Sequence, residues 1–412
     1  MLSENKPVDW IFVFKFNGYN FNGFSGEVGS PGIFGGTFQR YSYYDKYQGG
    51  QQYCYASSEN PEMQLGNGMC GATYQDPLGA TFAQVYDTDD YNYLIWNDQF
   101  KGNPQPKSLG DAQYAGAPWG HSKGMVAWND DGEGMVLQVT TPSWPAAGNK
   151  NHPRVGDGNT LGCIKDDDIM VSQHFFGLKL NKEDLIKVLE AAQNASISTD
   201  PNNIQIVKNG GPEDVQSLVK QLGQLSQSKK VTKTVLSSGI QLISKPGLLN
   251  VPPWQMISSQ LDNVPLRVAS WWETPPIPTT NEQTKISCWY DAPSSENTTG
   301  AVDIALTGTF GEHKLGLTGG MGRDYNHAKL GVSTDPSKPY SIFGDMNQQG
   351  ALSPQVDPDS KDKSPTCWIS QNARGGMFFV MDDAAMYKSL YRLLNGETSP
   401  LGSTKMPIPP GS

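Results

Sequence analysis

Histidine is scarce in this chain of 412 residues, with five in all, so any centre built on imidazole has few places to sit. Basic residues are also short: 31 Lys and Arg against 41 Asp and Glu leave a formal charge of −10, which repels nucleic acid and anionic lipid at long range. Any site for a polyanion is therefore local. Acid weakens that repulsion, because carboxylates protonate towards ~4 and His gains charge below ~6.5. The five cysteines (Cys54, Cys70, Cys163, Cys288, Cys367) form no C-x-x-C pair and are odd in number, which excludes a zinc ribbon or a complete disulfide framework and leaves room for one or two bridges. No apolar run reaches about 18 residues, and the opening MLSENKPVDW lacks a basic-then-apolar pattern. The expectation is neither a membrane span nor an export signal.

What is present suits a folded, loop-rich protein. Gly and Pro number 45 and 29, and charged residues make up 17%, below the usual ~25%. Hydrophobic residues at 37% and aromatics at 10% still supply a core. The length suits two domains or one large duplicated one. Strand-like runs are WIFVFKFNG from Trp10, TFAQVY (Thr81 to Tyr86), NYLIWND from Asn92, and GMVAWND and GMVLQVTT joined by the hairpin signal DGEG. Helical patterns follow: NKEDLIKVLEAA with Asn181 as cap, and PEDVQSLVKQLGQL with Pro212 in its first turn. The second half repeats the mixture with AVDIALTG, HAKLGVS, YSIFGD and GMFFVMD as strands, then DDAAMYKSLYRLLNG as a closing helix. Mixed α/β or α+β layering is implied. The predicted organisation is an N-terminal half over 1–195, a connecting segment over 196–233 and a C-terminal half over 234–412.

Two of the five histidines share one arrangement, His121-Ser122-Lys123 and His327-Ala328-Lys329. By composition alone such a coincidence arises in roughly 3% of chains like this one. In an extended strand residues i and i+2 share a face, so each triplet projects an imidazole beside an ammonium. The triplets lie half a chain apart, which points to duplication with one site between the halves. A neutral imidazole can attack phosphorus, a protonated one can protonate an alkoxide, and two ammonium groups can hold the non-bridging oxygens. Such a centre requires no metal or cofactor. Two close imidazoles titrate apart, leaving one as base and one as acid.

These residues resemble the deoxyribonuclease II family, within the phospholipase D-like group, whose mark is a doubled H-x-K. The likeness extends to PVDWIFVFKFN, GGQQYCY, LIWNDQ, GHSKGMVAWNDDGEGMVLQVTTPSWP and NHAKLGVSTDPSKPYSIFGDMNQQGAL, in family order from Pro7 to Leu352. The resemblance implies a duplicated phospholipase D-like fold of two pseudo-symmetric β-sheet halves flanked by helices. It also implies an acid endonuclease that cuts DNA without divalent metal through a phosphohistidine, leaving 3′-phosphates. His121 is then the nucleophile, His327 the acid for the 5′-oxygen, and Lys123 and Lys329 the phosphate clamps, with the two His roles exchangeable by symmetry. Asn347, in GDMN, would bind phosphate or a histidine; Asp345 or Asn129 would orient a histidine; Trp119 would stack on bases or serve the core. The family favours export, a periplasm or an acidic organelle. A DNA substrate, no stable membrane association, and a monomer or homodimer complete the expectation.

The chain departs from animal members in carrying Val139 where they often have another His, and Gly331 and Ile342 near their close Cys pair, so no disulfide pattern transfers. The remaining histidines, His152, His174 and His313, read as loop, packing or turn residues. The acidic run Asp166 to Asp168 reads as a solvated turn because it lacks calcium-loop spacing. Two rivals are a phospholipase or phosphatidyl transferase using the same constellation on lipid, and a non-catalytic nucleic-acid-binding relative.

Overall fold

The computed structural model describes residues 1–3, 6–18, 52–67, 70–71, 74–100, 106–109, 114–153, 171–289, 299–320, 322, 324–356 and 361–405. Cys163 and the Asp166 to Asp168 run lie outside the described residues. In chain order the first half contains β1 (Trp10–Lys15), β2 (Tyr53–Ser57), α1 (Pro77–Tyr86), β3 (Asn92–Asn97), β4 (Lys123–Trp128), β5 (Gly134–Val139), β6 (Gln173–Leu180) and α2 (Lys182–Asn194). After α3 (Glu213–Val219) come β7 (Thr232–Val235), β8 (Gln241–Lys245), α4 (Pro253–Gln260), β9 (Leu266–Ala269), β10 (Leu330–Ser333), β11 (Tyr340–Gly344), β12 (Gly376–Asp382) and α5 (Ala384–Leu394).

The strands form two large sheets. One runs β3-β4-β5-β6-β1-β2, with Val207–Lys208 added beside β3 and Gln64–Leu65 beside β2; the other runs β7-β8-β12-β11-β10-β9, with Val302–Ile304 added beside β9. Both contain the same unit. The chain order β1-α1-β3-β4-β5-β6-α2 is matched by β8-α4-β9-β10-β11-β12-α5, and the equivalent neighbours pair antiparallel in each. Apart from Val302–Ile304, which lies parallel to β9, neighbours in the two sheets pair antiparallel, and helices link β1 to β3 and β8 to β9, so the layering is mixed α+β.

Local chemistry explains most elements. The DGEG turn joins β4 to β5 in register Trp128 to Gly134. Asn181 caps α2 by accepting from the Asp184 amide, and Asp383 caps α5 by accepting from Ala385 and Met386. The pattern beginning at Pro212 yields only the short α3, with Pro212 just outside it. The run TFAQVY is helical rather than extended: Asp76 accepts from the Gly79 amide at 2.8 Å and Pro77 occupies the first turn. That start signal outweighs the β preference of Thr81, Val85 and Tyr86, in a helix buried on almost every side. Helix α4 likewise opens on Pro253.

The sheets meet through aromatic rings. Phe176 of β6 stacks on Phe343 of β11 with centroids 4.3 Å apart, while Phe12 of β1 and Phe379 of β12 pack on the same pair at 5.2 and 5.6 Å. All four are fully buried, and truncating any one of them carries the ~3–5 kcal/mol cost of deleting a core aromatic. Cys288 and Cys367 form a disulfide, whereas Cys54 and Cys70 are buried free thiols.

Candidate active site

The two H-x-K triplets occupy matching places. Lys123 is the first residue of β4, and Lys329 immediately precedes β10. The middle residues, Ser122 and Ala328, are fully buried, and the Ser122 hydroxyl accepts from the Trp96 indole at 3.0 Å. Alternation along an extended chain then sends each His and Lys to the opposite face.

Each triplet is held by the other half. The His121 amide donates to the Gly375 carbonyl at 2.9 Å, and the His327 amide donates to the Ser172 carbonyl at 2.8 Å. Gly375 and Ser172 each stand one residue ahead of the last strand of their own half, β12 and β6. The side chains cross as well. His121 Nδ1 bonds the Asp345 main-chain oxygen, and His327 Nδ1 lies 3.0 Å from Gln173 Oε1. An oxygen of either kind accepts, so the network assigns the proton to Nδ1 in both rings and leaves both Nε2 lone pairs for chemistry.

Five ionisable side chains lie between them. Lys123 Nζ is 2.7 Å from Asp98 and 3.3 Å from Asp345, Lys329 Nζ is 3.7 Å from the other oxygen of Asp345, and Arg374 is 2.8 Å from Asp98. One carboxylate thus spans the ammonium groups of both halves. Arg374 also donates to the carbonyls of Trp119 and Gly120, fixing the approach to His121. Burial pushes both imidazoles well below their ordinary value; Lys123 adds to this at His121, and Lys329, Lys123 and His121 add to it at His327. Burial alone would raise Asp98, but the Lys123, His121 and Arg374 charges outweigh it and hold it below the usual carboxylate range. Asp345 behaves oppositely: burial pushes it up to about 7 despite both lysines. Lys123 stays raised because Asp345 and Asp98 together overcome its desolvation.

The structure brings His121, Lys123, His327, Lys329 and Asp345 together, with Asp345 orienting His121 through its main chain. Asn347 follows two residues on; its Nδ2 donates to Gln349 Oε1 at 2.8 Å and its buried Oδ1 makes no hydrogen bond. Trp119 packs against the hydrophobic core, with its carbonyl on Arg374. Asn129 is not at the site. Its side chain accepts from the Asp131 and Glu133 amides in the DGEG turn, at the far end of β4 from Lys123.

Asp98, Arg374 and Gln173 were not singled out from the sequence. Asp98 lies inside the LIWNDQ segment, the one signal that could have found it. His174 does pack, between Phe12 and Phe343, but on β6 rather than in a loop, and its Nδ1 accepts the Lys329 amide at 3.2 Å. Trp271 stands edge-on to His327 with centroids 5.1 Å apart. Among the described residues no cluster of three or more His, Cys, Asp or Glu is arranged to hold a metal, and no helix is long and apolar enough to cross a membrane.

A doubled imidazole and ammonium centre thus lies between two like sheets. The family pattern of deoxyribonuclease II matches residues 38–353, a span containing both triplets, Asp98 and Asp345. The chain belongs to the deoxyribonuclease II family and is a DNA-hydrolysing phosphodiesterase. No curated protein sequence matches it. Among solved structures it is similar to yeast tyrosyl-DNA phosphodiesterase, at 9% identity over 76% of this chain and 86% of that one, with a TM-score of 0.30. A substituted form of that enzyme gives 8% identity, 74% and 85% coverage and a TM-score of 0.31.

Proposed function

We propose that the protein is an acid endodeoxyribonuclease that works without a metal ion and passes through a phosphohistidine. The observation that carries this reading is the convergence of Lys123 and Lys329, from opposite halves, on the one Asp345 carboxylate, beside two histidines whose Nδ1 atoms are both engaged. His121 Nε2 forms a bond to phosphorus while the P–O5′ bond breaks, and protonated His327 gives its proton to the departing O5′. Water, deprotonated by the now neutral His327, then attacks phosphorus and breaks the N–P bond. The products are a 5′-hydroxyl and a 3′-phosphate.

The lysines supply the positive charge that the five-coordinate phosphorus develops. Acid is needed because burial and the ammonium groups hold both imidazoles neutral at higher pH, whereas the mechanism requires one of them charged. A working pH of this kind suits an exported protein or an acidic organelle. One chain supplies every side chain named, and the DNA backbone is read without regard to sequence because phosphate contacts carry no base information.

Plasmid nicking at about pH 5 in excess chelator is the test. Native protein should cut, and His121→Ala and His327→Ala should each lose about 10³-fold or more, on the scale of removing a nucleophile or general acid. Activity that needs added magnesium, or that survives both substitutions, overturns the reading. Hydrolysis of phosphatidylcholine in place of DNA would favour the lipid alternative.

A further inference from the structure

Asp345 does not fit the symmetry of the site. It follows β11 as Thr140 follows β5, so the matching position in the first half is a neutral hydroxyl. Its two carboxylate oxygens face Lys123 Nζ at 3.3 Å and Lys329 Nζ at 3.7 Å. The Lys329-facing oxygen makes no hydrogen bond and is shut off from water. A planar anion bridging two ammonium groups has the charge and span of two non-bridging phosphate oxygens.

We propose that the Asp345 carboxylate is an internal stand-in for the substrate phosphate, and that its protonation in acid turns the Asp345-facing sides of Lys123 and Lys329 to the DNA backbone while Asp98 goes on holding Lys123. This rests on the reading of the two lysines as phosphate ligands. With Asp98 already on Lys123, a phosphate beside an ionised Asp345 would set three anions on two ammonium groups, at strong mutual repulsion in a buried site. The carboxylate must therefore become neutral, and its new O–H can then donate to a phosphate oxygen.

The groups facing Asp345 are Lys123 at the start of β4, Lys329 ahead of β10 and Asp98 after β3, with His121 on its main-chain oxygen. Arg374 reaches Asp98 at 2.8 Å, and His327 feels the charges of both lysines. Desolvation, with Asp98 adding to it, brings the Asp345 carboxyl up to about 7 against the pull of the lysines. Proton uptake on anion binding is therefore expected on its alkaline side.

Sulfate is a suitable probe, being tetrahedral with a constant charge across the range. Its affinity is measured by calorimetry from about pH 5 to 8 in buffers of different ionisation enthalpy, beside plasmid nicking, for native protein, Asp345→Asn and Asp345→Thr. The threonine variant copies the residue of the matching turn and serves if asparagine does not fold. One linked proton changes binding at most about tenfold per pH unit. Native protein should take up a proton with sulfate at pH 8 and bind at least about tenfold more weakly there than at pH 6. The variants should lose most of that slope and keep a nicking ratio between pH 8 and pH 5 about tenfold above native. Native binding without proton uptake, or variants with the native slope, overturns the proposal. Sulfate behaviour as expected with no DNA cleavage by native protein at pH 5 would instead sink the nuclease reading and leave the carboxylate's role standing.

Discussion

The first and second H-x-K triplets share a backbone and differ in their charges. Each His amide donates across the interface to the carbonyl ahead of the other half's last strand, and each Nδ1 is tied to an oxygen of the other half. Around that frame, Lys123 has two carboxylates within 3.3 Å, one of them also held by Arg374, whereas Lys329 meets Asp345 at 3.7 Å. Duplication reproduces geometry because hydrogen bonds of the main chain do not depend on side-chain identity. Charge is free to diverge, so two equivalent imidazoles can acquire unequal proton affinities and unequal duties.

The largest break in this comparison comes from removing the lysines. Lys123→Met leaves Asp98 and Asp345 in the interior without their shared cation, and should cost about 3–5 kcal/mol of stability, measured by urea unfolding. Lys329→Met should cost less than half as much, while both lose nicking activity by about 100-fold or more. Equal destabilisation by the two would show that the charge asymmetry has no energetic weight.

Next in size is the response to pH. His121, His174 and His327 are all held below their ordinary value, chiefly by burial. In the unfolded chain they take up protons from about pH 6.5 downwards, whereas in the fold they stay neutral, so their contribution is present above that pH and lost as pH falls. Asp345 runs the other way, its raised value favouring the fold as pH drops below about 7. Three groups against one predict a net loss of up to about 1.4 kcal/mol per pH unit for each uncancelled His. His174→Gln, which keeps an acceptor for the Lys329 amide, should reduce the slope by one proton without changing the other two histidines. A flat stability curve between pH 7 and 5 would count against this.

The smallest effect sharpens the comparison by its absence from the site. Asn129→Ala removes two turn hydrogen bonds and should cost about 0.5–1.5 kcal/mol, with nicking unchanged, because Asn129 serves the β4–β5 hairpin and neither histidine.

The legible part of this site was its local part. Two triplets with i, i+2 spacing, a DGEG hairpin and the Asn181 cap are short-range signals, and local geometry carries them directly into structure. Helix α1 was misjudged because Thr81, Val85 and Tyr86 favour strands, while the deciding signal, Asp76 with Pro77, lay upstream of the run. Arg374 and Gln173 escaped notice for another reason. Their functions exist only across the interface, with 254 residues between Arg374 and the Gly120 carbonyl and 154 between Gln173 and His327, and no spacing rule spans such distances. Asp98 was within a recognised segment, yet nothing local distinguishes its carboxylate from those of Asp89 and Asp90.

The hydrogen bonds from His121 to Gly375 and Asp345 carry a consequence for biosynthesis. A nascent polypeptide that has emerged only through α2 already owns one imidazole and one ammonium, but the oxygens that aim the ring have not been translated. Vectorial folding of the first half therefore yields an inert intermediate. If the two imidazoles act as proposed, cleavage competence arrives only when β12 docks, and the cell making this nuclease is spared its action until the second half has been translated.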